Sequence, residues 1–120
     1  MAKADRHHTG KVGEAMAKDY LEKNGYRIRA MNWRGRRGEL DVVAEKDGWL
    51  IFVEVRTKRT RMFGSVKEAV DLRKLRQVRR VAEEYVAREG LVEKPIRFDC
   101  IFVDWQDDEP SVEHVMGVTY

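Results

Sequence analysis

The feature that most constrains the fold of this chain is a pair of apolar-rich runs separated only by Asp47-Gly48. The first run, G-E-L-D-V-V-A-E-K, spans 38–46, and the second, W-L-I-F-V-E-V-R-T-K, spans 49–58. An Asp-Gly pair between two β-rich runs favours a two-residue hairpin turn, because both turn positions need a positive φ. The numbers of residues that face each other across such a turn sum to 95. The sequence therefore predicts two antiparallel strands in a fixed register.

This register separates apolar from charged side chains on the two faces of the hairpin, because side chains alternate between faces with a period of two. One face is wholly apolar and is predicted to be buried; it pairs Leu40 with Val55, Val42 with Val53, and Ala44 with Ile51. The other face is apolar near the turn and charged at its far end, where Asp41 is predicted opposite Glu54 and Glu39 opposite Arg56. Because like charges in directly paired positions destabilise a sheet, the two carboxylates require a compensating cation.

Three kinds of cation are compatible with this pair of carboxylates: a bound hard metal ion such as Mg²⁺, Arg56, or a lysine from a neighbouring element. A solvated cluster of ion pairs at a sheet edge is the simpler alternative. Lys74 lies on the same helical stripe as three apolar residues, where it either snorkels or reaches a carboxylate. Glu14 lies on the flank of the apolar arc of the first helix, where it is either exposed or directed towards the same site.

The remaining segments complete a single α/β domain of 120 residues. Before the hairpin, the predicted elements are a helix over 9–24 with Thr9 as N-cap and Gly25 as stop, a strand over 26–31 and a basic turn-rich connection over 32–38. After the hairpin come a loop over 59–65, a helix over 66–89 ended by Gly90, and strands over 95–105 and 112–118. The predicted order is α-β-β-β-α-β-β around one sheet. Residues 1–8 are expected to be flexible.

Charge is distributed unevenly along the chain. Residues 56–80 carry ten Lys or Arg and two acids, a net charge of 10 − 2 = +8, whereas residues 99–120 carry six acids and no Lys or Arg. This asymmetry predicts either a basic face for a polyanion or a solvated, highly charged helix. No apolar run has the length of a membrane helix or the form of a signal peptide, so we expect a cytoplasmic protein without a membrane partner. Cys100 is the only cysteine, and its apolar neighbours predict a buried, inert thiol.

Several ordered motifs carry a resemblance to a known family. They are G-K-V-G-E-A-M-A-K-D-Y-L-E-K-N-G-Y, N-W-R, G-E-L-D-V-V-A, F-V-E-V-R-T-K, F-G-S, E-A-V and R-F-D, between about Gly10 and Val103. Together they resemble the bacterial YraN-like family. That family is similar in pattern to the PD-(D/E)XK nuclease superfamily, especially its small archaeal Holliday-junction resolvases. The resemblance implies a restriction-endonuclease-like αβββαβ core, with a single mixed sheet flanked by two helices.

The resemblance also implies an activity and its residues. Asp41 takes the place of the metal-ligand aspartate, Glu54 that of the acidic residue in the E-X-K element, and Glu14 that of the first-helix glutamate. The implied reaction is Mg²⁺- or Mn²⁺-dependent hydrolysis of phosphodiester bonds in structured or branched DNA. Arg56 departs from the pattern, because the superfamily has lysine at this position; Lys58 or Lys74 can supply the ammonium group instead.

A nuclease of this kind needs basic residues that hold the nucleic-acid backbone. The candidates are Arg34, Arg36, Arg37, Arg59, Arg61, Arg73, Arg76 and Arg80. A catalytically inactive nucleic-acid-binding module that keeps the nuclease fold is the main alternative, with Arg56 as the mark of lost catalysis, and a protein-docking surface is the third. A homodimer agrees with the resemblance, because junction resolvases act as dimers.

Overall fold

A computed structural model of the chain describes residues 2–58, 72–106 and 109–118, with side chains over 10–57, 76–105 and 109–118. The elements are α1 (Ala2–Lys23), β1 (Arg27–Arg34), β2 (Glu39–Lys46), β3 (Trp49–Lys58), α2 (Leu72–Glu89), β4 (Ile96–Gln106) and β5 (Glu109–Val115). Their order is the predicted α-β-β-β-α-β-β. The predicted loop over 59–65 and the predicted start of the second helix over 66–71 lie outside the described residues.

The five strands form one mixed sheet in the order β1-β2-β3-β4-β5. The first three strands form an antiparallel meander, β4 lies parallel to β3, and β5 returns antiparallel to β4. Parallel neighbours need a crossover connection, and α2 lies in the segment that joins β3 to β4. The predicted α/β class, a single mixed sheet with two helices, is confirmed.

The turn between β2 and β3 is the predicted one. Asp47 and Gly48 have φ values of 53° and 84°, as a two-residue type I′ turn requires. The paired positions run from Lys46 with Trp49 to Val42 with Val53, so paired residue numbers sum to 95 as predicted.

The two helices cover opposite faces of the sheet. On one face, Ala17 and Leu21 of α1 pack in a buried cluster together with Val42, Ala44, Ile51 and Val53. On the other, α2 contributes buried residues to a second cluster, Val78, Val81, Ala82 and Tyr85, which pack with Val43, Leu50 and Phe52. The inward stripe predicted for α2 is therefore confirmed at its three apolar positions, whereas the side chain of Lys74 lies outside the described part.

Both helices end at the predicted glycines. Gly25 and Gly90 have φ values of 87° and 68°. After each glycine the next amide donates to a carbonyl five residues back, Tyr26 N to Leu21 O at 2.9 Å and Leu91 N to Val86 O at 2.9 Å. This is the hydrogen bond of a Schellman motif. In the described residues, no helix combines the length and the apolar character needed to cross a membrane.

Three predicted boundaries are wrong. α1 begins at Ala2 rather than Thr9, because A-K-A-D-R continues the helix with good helix formers and no cap is needed at Thr9. β1 extends to Arg34, through what was predicted as a connection. β5 begins at Glu109 rather than at residue 112, because it pairs with β4 from the turn onward.

One predicted face assignment is also wrong. Leu40 packs in the cluster beneath α2, not on the face that carries Val42. Its neighbour on β1 is Trp33, and Met31 is the neighbour of Val42. Between these two β1 residues lies Asn32, whose φ of 52° is left-handed and interrupts the alternation of side chains. The change of face between Met31 and Trp33 on β1 is therefore matched on β2 by a change of face between Val42 and Leu40, on either side of Asp41.

Candidate functional site

Asp41 lies at the point along β2 where this strand stops pairing with β3. Its Oδ2 accepts a hydrogen bond from the backbone N–H of Val55 at 2.9 Å. The last ladder pair is Val42 with Val53, so the predicted direct pairing of Asp41 with Glu54 lies beyond the ladder and is not formed. The physical reason is that the Asp41 carboxylate takes a backbone donor of β3. This contact fixes the carboxylate against the strand that carries Glu54.

Glu39 has a different partner from the predicted one. It lies opposite Arg34 on β1, and the two side chains form an ion pair of 2.8 Å. The predicted pairing of Glu39 with Arg56 is therefore wrong, because Glu39 lies in the part of β2 that pairs with β1 and no longer with β3. Arg56 lies beside Phe102 of β4 and is half-buried.

Glu54 is buried, with 8 % of its surface exposed, and lies beside Cys100 of the parallel strand β4. Burial and, after it, the negative charge of Glu54 raise the pKa of the Cys100 thiol to about 11, with Arg56 acting in the opposite direction. Glu54 and Arg56 are thus within electrostatic reach of one another. The thiol is buried and unbonded to another cysteine, as predicted.

Glu14 reaches the same region from α1. Burial raises the pKa of this half-buried carboxyl, and the charge of Asp41 raises it further; a hydrogen bond with Asn32 opposes both. Helix α1 comes close to β3 here, because a Cβ on Gly13 would overlap the Oγ1 of Thr57. Of the two readings of Glu14, exposure or approach to the site, the structure favours approach.

Asp41, Glu54 and Glu14 supply the oxygen ligands that a hard cation prefers. Within the described residues, no group of three or more His, Cys, Asp or Glu side chains lies close enough to hold a metal ion. Mg²⁺ commonly uses only one or two carboxylates and completes its shell with waters and substrate phosphate. The carboxylate oxygens present are of the donor type that Mg²⁺ uses, and a site with only two of these carboxylates would need ligands from outside the protein.

The loop between β1 and β2 is fixed onto α2. Its turn is closed by the Gly35 N–H, which donates to the carbonyl of Gly38 at 2.8 Å. The backbone N–H of Arg36 donates to both carboxylate oxygens of Glu84, at 3.0 and 3.2 Å. Gln77 Nε2 donates to the carbonyl of Arg37 at 3.2 Å. Two consecutive loop arginines are thereby placed next to the arginines of α2.

Two adjoining concavities lie between this loop and α2, with volumes of about 450 and 490 Å³. The first is lined by Arg36, Arg37, Arg80, Glu83, Glu84 and Arg88. The second is lined by Arg37, Arg76, Gln77 and Arg80. Four of the predicted nucleic-acid-binding arginines are brought together here, at positions 36, 37, 76 and 80. Arg34 instead forms the surface ion pair with Glu39.

Sequence reasoning missed Gln77, Glu84 and Arg88 of this cleft. Arg76, Arg80, Glu84 and Arg88 recur at a spacing of four along α2, which is the signal that places them on one stripe. The predicted Arg59 and Arg61, and the side chains of Lys58, Arg73 and Lys74, lie outside the described residues. Their proposed roles stay predictions.

Asp99 belongs to a buried network of its own. Arg97 donates two hydrogen bonds to its carboxylate at 2.8 Å each. His114 Nε2 lies 2.7 Å from Oδ2, and the Gly117 N–H donates to Oδ1 at 3.1 Å. Burial opposes the ionisation of Asp99, yet these hydrogen bonds hold its pKa below the ordinary value. The network ties β4 to β5 and to Tyr20 of α1, whose hydroxyl lies 3.2 Å from His114 Nδ1.

The fold and these features define a class of small α/β domain that carries acidic residues on α1, β2 and β3 and an arginine-lined cleft between the β1–β2 loop and α2. Residues 13–103 match the family described as "Uncharacterised protein family UPF0102". The chain belongs to this family, which confirms the resemblance to the YraN-like family; the similarity of that family to the PD-(D/E)XK nucleases stays a prediction.

Relatives of nearly full length are found in distant bacteria. A UPF0102 protein of Bacteroides thetaiotaomicron is 38% identical over 117 residues, which cover 98% of this chain and 96% of the relative. A UPF0102 protein of Myxococcus xanthus is 40% identical over 116 residues, covering 97% and 92%. A UPF0102 protein of Trichlorobacter lovleyi is 44% identical over 108 residues, covering 88% and 85%. The chain therefore spans almost the whole length of these relatives.

Proposed function

We propose that this UPF0102 protein is a metal-dependent endonuclease that hydrolyses phosphodiester bonds in structured or branched DNA. The single observation that carries the proposal is the approach of Glu14 to Asp41, which raises the pKa of the Glu14 carboxyl. Carboxylates that repel each other in this way are stabilised by a bound cation. The element order supports a restriction-endonuclease-like core of PD-(D/E)XK type.

Each acidic residue has a defined part in this proposal. Asp41 and Glu54 hold Mg²⁺ or Mn²⁺, and Glu14 supports them from α1. The hydrogen bond from Val55 N–H fixes the Asp41 carboxylate before any ligand binds. A carboxylate has about four lone-pair positions, so this bond leaves capacity for a metal ion. The metal ion, when bound, activates a water molecule and offsets charge on the phosphate.

Arg56 stabilises negative charge on the scissile phosphate rather than moving a proton. Its guanidinium is always protonated at physiological pH, so it cannot act as a general base. It is half-buried two residues after Glu54 on β3, where a fixed positive charge is strong because water is partly excluded. The ammonium group of Lys58 or Lys74 takes any role that requires a lysine.

A catalytically inactive DNA-binding module is the second candidate, and Arg56 is the observation that favours it. An Arg56→Lys variant distinguishes the two. Gain of cleavage in this variant supports lost catalysis in the natural chain. Unchanged cleavage in both proteins supports Lys58 or Lys74 as the functional lysine.

The test is incubation of the purified protein with a four-way junction, a splayed duplex and a linear duplex, with Mg²⁺, Mn²⁺ or EDTA. Asp41→Asn and Glu54→Gln remove one metal-ligand charge each while preserving shape. Glu22→Gln is the matched control, because Glu22 is exposed on α1 away from the site. We expect cleavage by the natural protein and by the control, and loss in both site variants.

Two results overturn the enzyme proposal. One is the absence of cleavage of every substrate above the Asp41→Asn background. The other is cleavage that persists in EDTA, which shows that the activity does not depend on the proposed metal. A Mg²⁺ titration followed by the thermal midpoint gives an independent measure of binding, which we expect to weaken in Asp41→Asn and Glu54→Gln.

A further inference from the structure

Like charges are concentrated in the cleft between the β1–β2 loop and α2. Its lining contains five arginines, at positions 36, 37, 76, 80 and 88, and two acids, at positions 83 and 84, so the net charge is 5 − 2 = +3. Arg37 and Arg80 line both concavities. An anion bound between these guanidinium groups would offset their mutual repulsion.

The acids of the cleft serve mainly to position the arginines. Glu84 accepts the backbone N–H of Arg36 and forms an ion pair of 3.4 Å with Arg88. Gln77 holds the carbonyl of Arg37. A Cβ on Gly35 would lie 2.5 Å from Glu84 Oε1 and 2.7 Å from the Trp33 ring, so a larger residue here would force these side chains to shift. The loop is therefore fixed before a ligand arrives, which lowers the entropic cost of binding.

We propose that this arginine cleft is a metal-independent anchor for two successive phosphates of one nucleic-acid strand, one in each concavity, with Arg37 and Arg80 shared between them. The proposal rests on the proposed function and adds to it a second site. Gly38 closes the loop three residues before Asp41, a separation of about 10 Å along a β-strand. The loop that forms one wall of the cleft thus leads directly into the strand that carries Asp41.

The arrangement of the lining favours phosphodiesters over carboxylates of an acidic protein. All five cations are arginines, whose planar fork makes paired hydrogen bonds with phosphate and with carboxylate oxygens, so the distinction rests on how the concavities are arranged. Two adjoining concavities that share two arginines suit a ligand with regularly repeated single charges. A flexible acidic peptide gains less from such a fixed repeat because its side chains must be ordered on binding.

The test compares two double variants with a matched single control. Arg37→Ala/Arg80→Ala removes the shared arginines, and Arg37→Lys/Arg80→Lys keeps their charge but removes the fork. Arg79→Ala is the control, because Arg79 is exposed on α2 and does not line either concavity. Binding of a labelled DNA duplex and a labelled four-way junction is measured by fluorescence anisotropy in EDTA over a series of salt concentrations. The thermal midpoint of each variant verifies folding.

We expect the alanine double variant to bind at least tenfold more weakly, and its slope of log K against log salt to be smaller by about 1.8, because each lost duplex phosphate contact removes about 0.9. The lysine double variant is expected to retain the slope but to bind more weakly than the natural protein. Arg79→Ala is expected to show a smaller loss than the alanine double variant.

Three results overturn the inference: equal loss in Arg79→Ala and in the double variant, an unchanged salt slope, or tighter binding of a polyglutamate peptide than of DNA. Failure of the proposed nuclease function is distinguishable, because it abolishes cleavage while anisotropy in EDTA is unaffected. If the cleft does not bind DNA, the double substitution leaves DNA affinity unchanged, whereas Asp41-dependent cleavage is still observed.

Discussion

Substitution of Gly13 by alanine tests the contact that places Glu14 at the site. A Cβ at this position overlaps Thr57 Oγ1 and lies 3.3 Å from both Thr57 Cβ and Thr57 Cγ2. Rotation of the Thr57 side chain can move Oγ1 but not Cβ, so a tight contact of 3.3 Å remains and α1 must shift away from β3. Gly10 lies one turn earlier on the same helix, and a Cβ there meets nothing within 4 Å.

The two glycines should respond with opposite signs. In a helix interior, replacing glycine by alanine stabilises by about 1 kcal/mol, and Gly10→Ala should gain this amount. At Gly13 the same gain is outweighed by an overpacking cost of about 2–3 kcal/mol. The expected net loss in the free energy of unfolding is therefore about 1–2 kcal/mol. For a chain of this length, the thermal midpoints of the two variants should differ by about 10 °C.

Chemical denaturation of Gly13→Ala, Thr57→Ala and the double variant measures the contact directly. Removal of the threonine hydroxyl and methyl makes room for the new Cβ, so the double variant should recover about 1 kcal/mol or more relative to additivity. The displaced helix should also weaken Mg²⁺ binding, because Glu14 follows Gly13. Additive effects, or equal stabilisation by Gly10→Ala and Gly13→Ala, would refute the close approach of α1 to β3.

Other predictions concern the buried polar groups. Hydrogen bonds from Arg27, Arg29 and Lys94 lower the pKa of Glu45 to about 2 against the opposing effect of burial. The stability that they provide is present above pH 4.5 and is lost as the pH falls towards 2, so Glu45→Gln should flatten the acid limb of a denaturation series. Burial raises the pKa of Cys100 to about 11. Its reaction with a thiol reagent at pH 8 should therefore require unfolding. Rapid labelling of the native protein would contradict the burial of this thiol. Asp99→Asn leaves Arg97 without its charged partner and should cost about 3 kcal/mol in urea denaturation, whereas a loss below about 0.5 kcal/mol would show that the network contributes little.

Local sequence rules predicted the centre of the fold because its interactions are local. The register of the hairpin follows from a two-residue turn and strict alternation, and both are visible in the sequence. The same rules failed at Asp41, where a side chain takes the backbone donor of Val55. Alternation describes where side chains point and contains no information on which of them will replace a ladder hydrogen bond.

Contacts between distant segments were beyond the same rules. Arg36 and Glu84 are 48 residues apart, and His114 and Asp99 belong to different strands whose pairing the sequence does not specify. Each contact depends on how α2 or β5 packs onto the sheet. The basic character of the β1–β2 connection and of α2 was visible in the sequence, but their meeting in one cleft was not.

The order of the strands separates the acidic and the basic segments of the chain in space. β5 lies at the opposite edge of the sheet from β1 and carries the exposed acids Glu109 and Glu113. The arginine cleft lies beside the loop that leaves β1. A polyanion is therefore repelled from the β5 edge and attracted to the β1–β2 side, where β2 leads from the loop arginines to Asp41. Because a long-range field of this kind acts on encounter, we expect it to raise the association rate with the proposed DNA ligand before any specific contact forms.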